Sequence, residues 1–252
     1  TRDPMFDEAR PVAENLRQLD SLGLNAKNLD PIRAYRQRQL LRIMLRDIMG
    51  LVSPAAVFAE LSDLAEACLV FSARLLDDQG LTIIALGKFG GRDISYGADL
   101  DVVFVGEDTR AAQNFTTAMA QRTVEGNVWT LDTRLRPEGE NGPLVSSLEA
   151  FQRYYANRAQ LWEMQALTRA RPISGPSQVQ FMEIAKSAWH RADQDADRFK
   201  KIDDMVEGIR RERGSGSDFL DVKTGGGGDR EAKFNVQEEQ SRAKRGEQKR
   251  ER

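Results

Sequence analysis

Two short segments rich in β-branched and other apolar residues lie close together in the chain. They are Leu81–Leu86 and Asp99–Val105, separated by Gly-Lys-Phe-Gly-Gly-Arg-Asp-Ile-Ser-Tyr-Gly-Ala. Each segment is too short for a typical helix, and its composition favours a buried strand. Glycine clusters such as the one between them are typical of loops. The sequence therefore predicts two strands joined by a glycine-rich loop, which requires a fold that contains a sheet.

Helical periodicity surrounds this predicted sheet. Pro31–Gly50 has apolar residues at helical spacing, and a second helical pattern, Ala55–Leu76, follows a start signal at Ser53-Pro54. Further along, the sequence predicts a helix over residues 109–122, a third strand at Val128–Leu135, and helices that begin at a capping box, Ser146–Glu149, and end before Pro172.

These patterns indicate an α+β fold with four regions along the chain. We expect an N-terminal helical segment, a core with a mixed sheet flanked by helices, a truncated C-terminal helical region with a glycine-rich motif, and a charged, disordered tail. Their predicted boundaries are 1–76, 77–180, 181–237 and 238–252.

Composition disfavours several classes of protein. The 37 basic and 39 acidic residues give a net charge of −2, without the positive excess that is usual in nucleic-acid-binding domains. No apolar run approaches the roughly 20 residues that span a bilayer. The first residues also lack the pattern of a signal peptide. We predict a cytoplasmic protein that binds neither nucleic acid nor membrane.

The chain has one cysteine and one histidine, which limits its catalytic chemistry. Cys68 cannot form an internal disulfide, and its apolar, helical context is typical of a core residue. His190 alone cannot build a cluster of imidazole ligands, and it makes a histidine-based triad improbable. Any catalysis must therefore depend on carboxylates.

Asp99 and Asp101 are two residues apart on the second predicted strand, so their side chains point to the same face, while Leu100, Val102 and Phe104 point to the core. Two adjacent carboxylates repel each other unless a cation lies between them. Mg²⁺ prefers one or two carboxylates together with substrate phosphates. The pair therefore predicts a magnesium site.

The third predicted strand places Asp132, Arg134 and Arg136 on one face. If it pairs beside the second strand, Asp132 joins the first two carboxylates and can prepare a hydroxyl for attack. Three carboxylates on adjacent strands suit a two-metal displacement, and the arginines could bind phosphate oxygens.

The glycine-rich loop supplies further candidate ligands for a polyphosphate. Gly90 and Gly91 lack Cβ atoms, so their backbone could approach phosphate and offer N–H groups, and Lys88 could add a contact. An Asp-x-Asp or Gly-Gly pair alone is more often a solvated edge or a turn. Their combination in this order favours a catalytic site.

The residues that carry this chemistry resemble a known family. The segment Leu86–Phe104 is similar to the signature of glutamine synthetase adenylyltransferases, members of the polymerase-β-like nucleotidyltransferase superfamily. Leu131–Gly139, Gly142–Val145 and Trp162–Pro172 resemble the motifs that follow it, and the segment 221–237 resembles a later glycine-rich motif. The resemblance extends from about Arg36 to Gln237.

The resemblance implies that AMP moves from ATP to a tyrosine of glutamine synthetase, with Mg²⁺ as cofactor. It assigns the metal to Asp99 and Asp101, the third carboxylate to Asp132 and the phosphate loop to Gly90 and Gly91. It also implies regulation of the full-length enzyme by glutamine and the PII signalling protein. The motifs are more similar to the adenylylating domain than to the adenylyl-removing domain.

Two alternatives remain open from the sequence. The chain could remove AMP from the same protein by phosphorolysis, or it could be a truncated module that binds nucleotide or glutamine synthetase without turnover. A superfamily relative that acts on RNA or a small molecule is disfavoured by the neutral charge balance and by the motif at Trp162.

Overall fold

A computed structural model of the chain describes residues 8–22, 28–76, 80–194 and 204. The described residues form two compact units. The larger lies within residues 1–151 and 170–181, and the smaller within residues 152–169 and 182–252. The predicted glycine-rich motif at 221–237 and the predicted tail at 238–252 lie outside the described residues.

Three helices precede the sheet in the larger unit: α1 (Val12–Asp20), α2 (Asp30–Ile48) and α3 (Pro54–Leu75). The last two confirm the two predicted N-terminal helices. Helix α3 begins as its start signal predicts, because the Ser53 hydroxyl accepts a hydrogen bond from the Ala56 N–H at 3.3 Å and Pro54 occupies the first turn.

A mixed sheet follows, as predicted, with five short strands in the described residues. They are β1 (Thr82–Ala85), β2 (Leu100–Val105), β3 (Leu131–Asp132), β4 (Val145–Ser146) and β5 (Arg171–Ser174). The order is β3-β2-β1-β5, and β4 pairs with the end of β2. Strand β1 is antiparallel to β2 and β5, whereas β2 is parallel to β3 and β4.

Helices connect and flank these strands in the rest of the described chain. They are α4 (Gly87–Gly90), α5 (Thr109–Ala120), α6 (Leu148–Asn157), α7 (Leu161–Ala166) and α8 (Gln178–Gln194). Asp108 begins α5 by accepting a hydrogen bond from the Ala111 N–H at 2.9 Å.

The core of the larger unit joins the N-terminal helices to the sheet. Strand β2 is buried at every position except Asp101, so Leu100, Val102 and Phe104 lie in the core as predicted. Cys68 on α3 is also fully buried, which confirms the core assignment, and burial raises the pKa of its thiol to about 12. These residues belong to one continuous apolar cluster.

Three local details differ from the sequence prediction. Strand β3 ends at Asp132 because the Asp132 carboxylate accepts a hydrogen bond from the Arg134 N–H at 2.9 Å and turns the chain. The helices do end before Pro172, at Arg169, but Pro172 itself lies in β5, a strand that was not predicted, at the edge of the sheet, where proline is tolerated. The residue that caps α6 is Ser147, whose hydroxyl accepts from the Ala150 N–H at 3.2 Å, while Ser146 belongs to β4.

The smaller unit is helical where the structure describes it. A side chain on α7, Glu163, accepts hydrogen bonds from the Gln160 N–H at 2.7 Å and from the Tyr154 hydroxyl at 2.6 Å. A single 3₁₀ turn, Leu167–Arg169, follows α7. In neither unit is any described helix both long and apolar enough to cross a membrane.

Candidate active site

Asp101 and Asp132 are neighbours across two parallel strands. The register pairs Leu100 with Leu131 and Asp101 with Asp132, and the Leu100 N–H donates to the Thr130 carbonyl at 3.0 Å. Both carboxylates are half-buried, whereas the leucines beside them are in the core. The structure thus confirms that the third strand lies beside the second and carries a carboxylate level with Asp101.

Asp99 lies immediately before β2 and is exposed to solvent. The residue before it is held by Trp129, whose indole N–H donates to the Ala98 carbonyl at 2.9 Å. The Arg36 guanidinium lies 4.4 Å from the centre of the Trp129 ring, close enough for a cation–π contact. Trp129 therefore holds the backbone immediately before Asp99. The sequence placed Trp129 in a longer third strand, and that prediction did not reveal this contact.

Gly87 lies directly against the Asp101 carboxylate. A Cβ built at this position would be 2.1 Å from Oδ2 of Asp101, and the backbone has φ of +53°, in the left-handed region. The Leu86 N–H also donates to the Asp101 carbonyl at 2.9 Å. Only glycine fits this position without displacing the carboxylate, so Gly87 belongs to the site although the sequence drew attention to the later glycine pair.

The predicted glycine-rich loop begins as a helical turn, α4, and this changes what its amides can do. The Gly90 N–H donates to the Leu86 carbonyl at 2.6 Å, and the Gly91 N–H donates to the Gly87 carbonyl at 3.2 Å. Because each amide has one proton, neither is available to phosphate while the turn is intact. Lys88 is half-buried on the same turn, and its predicted phosphate contact stays a prediction.

Asp132 is paired with the arginine that follows its strand. The Arg134 side chain donates from Nε to both carboxylate oxygens at 3.0 Å and from Nη2 to Oδ2 at 2.5 Å. This hydrogen bonding holds the pKa of Asp132 below its usual value, against the opposing effect of burial. Arg134 is itself mostly exposed, so water screens this ion pair.

Arg136 shapes its own loop. It donates to the Thr133 carbonyl at 3.0 Å, to the Gly142 carbonyl at 3.1 Å and to the Glu140 carbonyl at 3.1 Å. The sequence predicted that Arg134 and Arg136 share one face of a strand. They do not, because the chain turns after Asp132.

The carboxylates fit a magnesium ion that is completed by substrate. Carboxylate oxygens suit Mg²⁺, which normally keeps only one or two protein carboxylates and takes its other ligands from phosphates and water. The residue that lies against Asp101, Gly87, has no Cβ, so no side chain at this position displaces the carboxylate. Within the described ranges, however, no three carboxylate, histidine or cysteine side chains come close enough to hold a metal by themselves. The three-carboxylate cluster expected from the sequence is not assembled, and Arg134 is paired with its third member.

Comparison with known proteins identifies the chain independently of this geometry. Residues 4–185 match the model of the glutamate-ammonia ligase adenylyltransferase family. The bifunctional glutamine synthetase adenylyltransferase/adenylyl-removing enzyme of Streptomyces avermitilis is 37% identical over 242 residues, covering 84% of this chain and 24% of the relative. The enzyme of the same name from Nitrosococcus oceani is 30% identical over 253 residues, covering 86% and 26%.

The chain spans about a quarter of the length of these curated relatives. The family match nevertheless includes α1 to α7, all five strands and every candidate site residue. The chain belongs to the glutamate-ammonia ligase adenylyltransferase family.

Proposed function

We propose that this chain binds ATP with Mg²⁺ and transfers AMP to a tyrosine of glutamine synthetase. The observation that supports the proposal is the register that places Asp101 beside Asp132, together with Gly87, which lies directly against the Asp101 carboxylate. The names of the relatives supply the protein substrate. In this proposal the protein works in the cytoplasm, and PII signalling protein is an effector of the full-length enzyme.

Asp99 and Asp101 would hold the metal, which when bound neutralises charge on the phosphates and orients them. The chain's own residues then account for positioning and proton transfer. Lys88 and Arg134 bind phosphate oxygens, and the departure of Arg134 frees the Asp132 carboxylate. Asp132 accepts the tyrosine proton as the phenolic oxygen bonds to the α-phosphorus. The bond from that phosphorus to the bridging oxygen breaks, and pyrophosphate leaves.

The decisive test is Asp101→Asn, which removes the charge but keeps the shape of the side chain. We expect AMP transfer from labelled ATP to glutamine synthetase to fall by at least about a hundredfold, because charge neutralisation and positioning supply most of the catalysis. Glu107→Gln, at an exposed carboxylate just after β2, is the matched control and should retain activity. Full activity of Asp101→Asn would refute the metal assignment.

Removal of AMP is the second candidate, because the relatives are named as both adenylyltransferases and adenylyl-removing enzymes. One assay separates the possibilities: unmodified glutamine synthetase with ATP, and adenylylated glutamine synthetase with inorganic phosphate. Labelling only in the first supports transfer, and release of ADP only in the second supports removal. Nucleotide binding with neither activity would identify a binding module.

A further inference from the structure

Helix α4 is held at both ends by side chains distant in sequence. At its start, Gly87 lies against the Asp101 carboxylate. At its end, the carbonyls of Phe89 and Gly90 accept hydrogen bonds from Arg171 on β5. A single helical turn has few contacts of its own, so these outside contacts set its position relative to Asp101.

All three guanidinium nitrogens of Arg171 are used in this contact. Nη2 donates to the Phe89 carbonyl at 3.0 Å, Nε donates to the Gly90 carbonyl at 3.2 Å, and Nη1 donates to the carboxylate of Glu66 on α3. The guanidinium carbon also lies 5.4 Å from the centre of the Phe89 ring. Such a planar fork holds two carbonyls and a carboxylate in a fixed arrangement.

A second ion pair ties the residues after α4 to the same helix α3. Arg92 donates to the Asp63 carboxylate and lies 4.0 Å from Glu66. Its backbone has φ of +59°, a conformation that an arginine rarely adopts without outside support. Arg92 is more exposed than Arg171, with 41% of its side chain accessible against 21%. Arg171 is therefore the more buried of the two arginines that connect α4 and the residues after it to α3.

We infer that Arg171, oriented by Glu66, is a positioning residue that holds α4 against Asp101 and so shapes the nucleotide site. The inference rests on the proposed function for its substrate, MgATP. Arg171 acts through the backbone of α4 and is not assigned a contact with nucleotide. Loss of its hydrogen bonds lets α4 move away from Asp101 and opens the surface where phosphates and metal meet.

The test compares Arg171→Gln with Arg74→Gln, a control at an exposed arginine that lies 3.9 Å from Asp20. Binding of MgATP is measured by calorimetry on the full chain, and the melting temperature is measured in parallel. We expect Arg171→Gln to weaken MgATP binding by about tenfold or more while Arg74→Gln binds normally, because small displacements in a positioned site have large effects. Arg171→Lys should not restore binding, since one ammonium cannot reproduce the fork.

Glu66→Gln is the milder variant in case Arg171→Gln does not fold. It keeps the guanidinium but weakens its orientation, so the loss of MgATP affinity should be smaller and in the same direction. Normal placement of α4 would preserve the affinity for MgATP. If the folded variants bind MgATP within about twofold of the unaltered chain, the inference is therefore wrong.

Hydrogen exchange separates this inference from the proposed function. If the unaltered chain fails to bind MgATP, the proposed function is at fault, and the exchange rates of the Gly90 and Gly91 amides still decide the role of Arg171. Faster exchange at these two amides in Arg171→Gln than in Arg74→Gln supports the role. Equal rates in the two variants would overturn it.

Discussion

Gly87 has no room for a side chain beside Asp101, so its substitution is a direct test of the site. In Gly87→Ala the new Cβ would collide with Oδ2 of Asp101, and alanine would also adopt φ of +53°. The backbone conformation alone costs about 1–2 kcal/mol. We expect a lower free energy of unfolding in urea and a loss of MgATP binding and AMP transfer, because the carboxylate is displaced.

Gly50→Ala is the matched control for backbone strain. Gly50 has φ of +66°, but nothing lies within 4 Å of its Cβ position. It should lose comparable backbone stability and keep MgATP binding. If both variants keep binding, the contact between Gly87 and Asp101 has no functional role.

The pair of Asp132 and Arg134 predicts a pH dependence of stability. Because Arg134 lowers the pKa of Asp132 in the folded state, the pair stabilises the fold above the unfolded value of about 3.9. That stability is lost as the pH falls through the lower pKa that Asp132 has in the folded state. Arg134→Gln should therefore reduce the free energy of unfolding near neutral pH, by less than about 1 kcal/mol since Arg134 is largely exposed.

Urea unfolding near pH 7 and near pH 2.5 provides the measurement. The difference between the unaltered chain and Arg134→Gln should shrink toward zero at the acidic end. A difference that grows on acidification would mean that the pair does not lower the pKa of Asp132.

The sequence left open whether the third strand pairs beside the second, but given that pairing the neighbouring positions of Asp101 and Asp132 were predictable, because alternation along a strand fixes which side chains share a face. The role of Gly87 was not. Its requirement for glycine arises from a carboxylate on the next strand, and the more conspicuous Gly90-Gly91 pair uses its amides inside α4. A local pattern does not show which of several glycines has a close neighbour.

Among the secondary-structure elements, α2 and α3 are joined by a buried ion cluster. The Glu60 carboxylate on α3 accepts hydrogen bonds from Arg42 and Arg46 on α2, and all three side chains are almost fully buried. In Glu60→Gln two buried arginines lose their shared negative charge. We expect the free energy of unfolding to fall by about 3–5 kcal/mol, as for other broken buried pairs.

Glu14→Gln on α1 is the control for this change, because its partner Arg17 is 77% exposed. It should change the unfolding free energy by less than about 0.5 kcal/mol. Equal effects of the two substitutions would show that burial of the Glu60 cluster contributes nothing to the contact between α2 and α3.

In the larger unit, the helices that precede the sheet were more predictable from the sequence than the strands. A capping serine and an apolar period of 3.6 residues locate α3 from local sequence alone. Strand β5 was missed because Pro172 signals the end of a helix in isolation. It forms a strand only because β1 offers an exposed edge to pair with, and that edge is set by residues about ninety positions earlier.

Over the whole molecule, the helical segment and the sheet share one core. The sequence predicted a boundary between residues 76 and 77, where helical periodicity gives way to strands. The buried cluster nevertheless runs from Ile32 and Leu64 on the helices to Ile83 and Phe104 on the strands. A change in periodicity marks a change of secondary structure, but it carries no information about which faces are buried together.

This shared core predicts that the sheet cannot fold without the helices before it. A chain that starts at Gly80 would lack the residues of α2 and α3 that belong to the shared buried cluster, and it would also lose the Glu66 carboxylate that orients Arg171. We expect such a chain to show no cooperative urea unfolding and little near-ultraviolet circular dichroism, because too much apolar surface stays exposed. The full chain, measured beside it, should show both signals. Cooperative unfolding of the shortened chain would establish that the sheet is an independent domain and that α3 is dispensable for its stability.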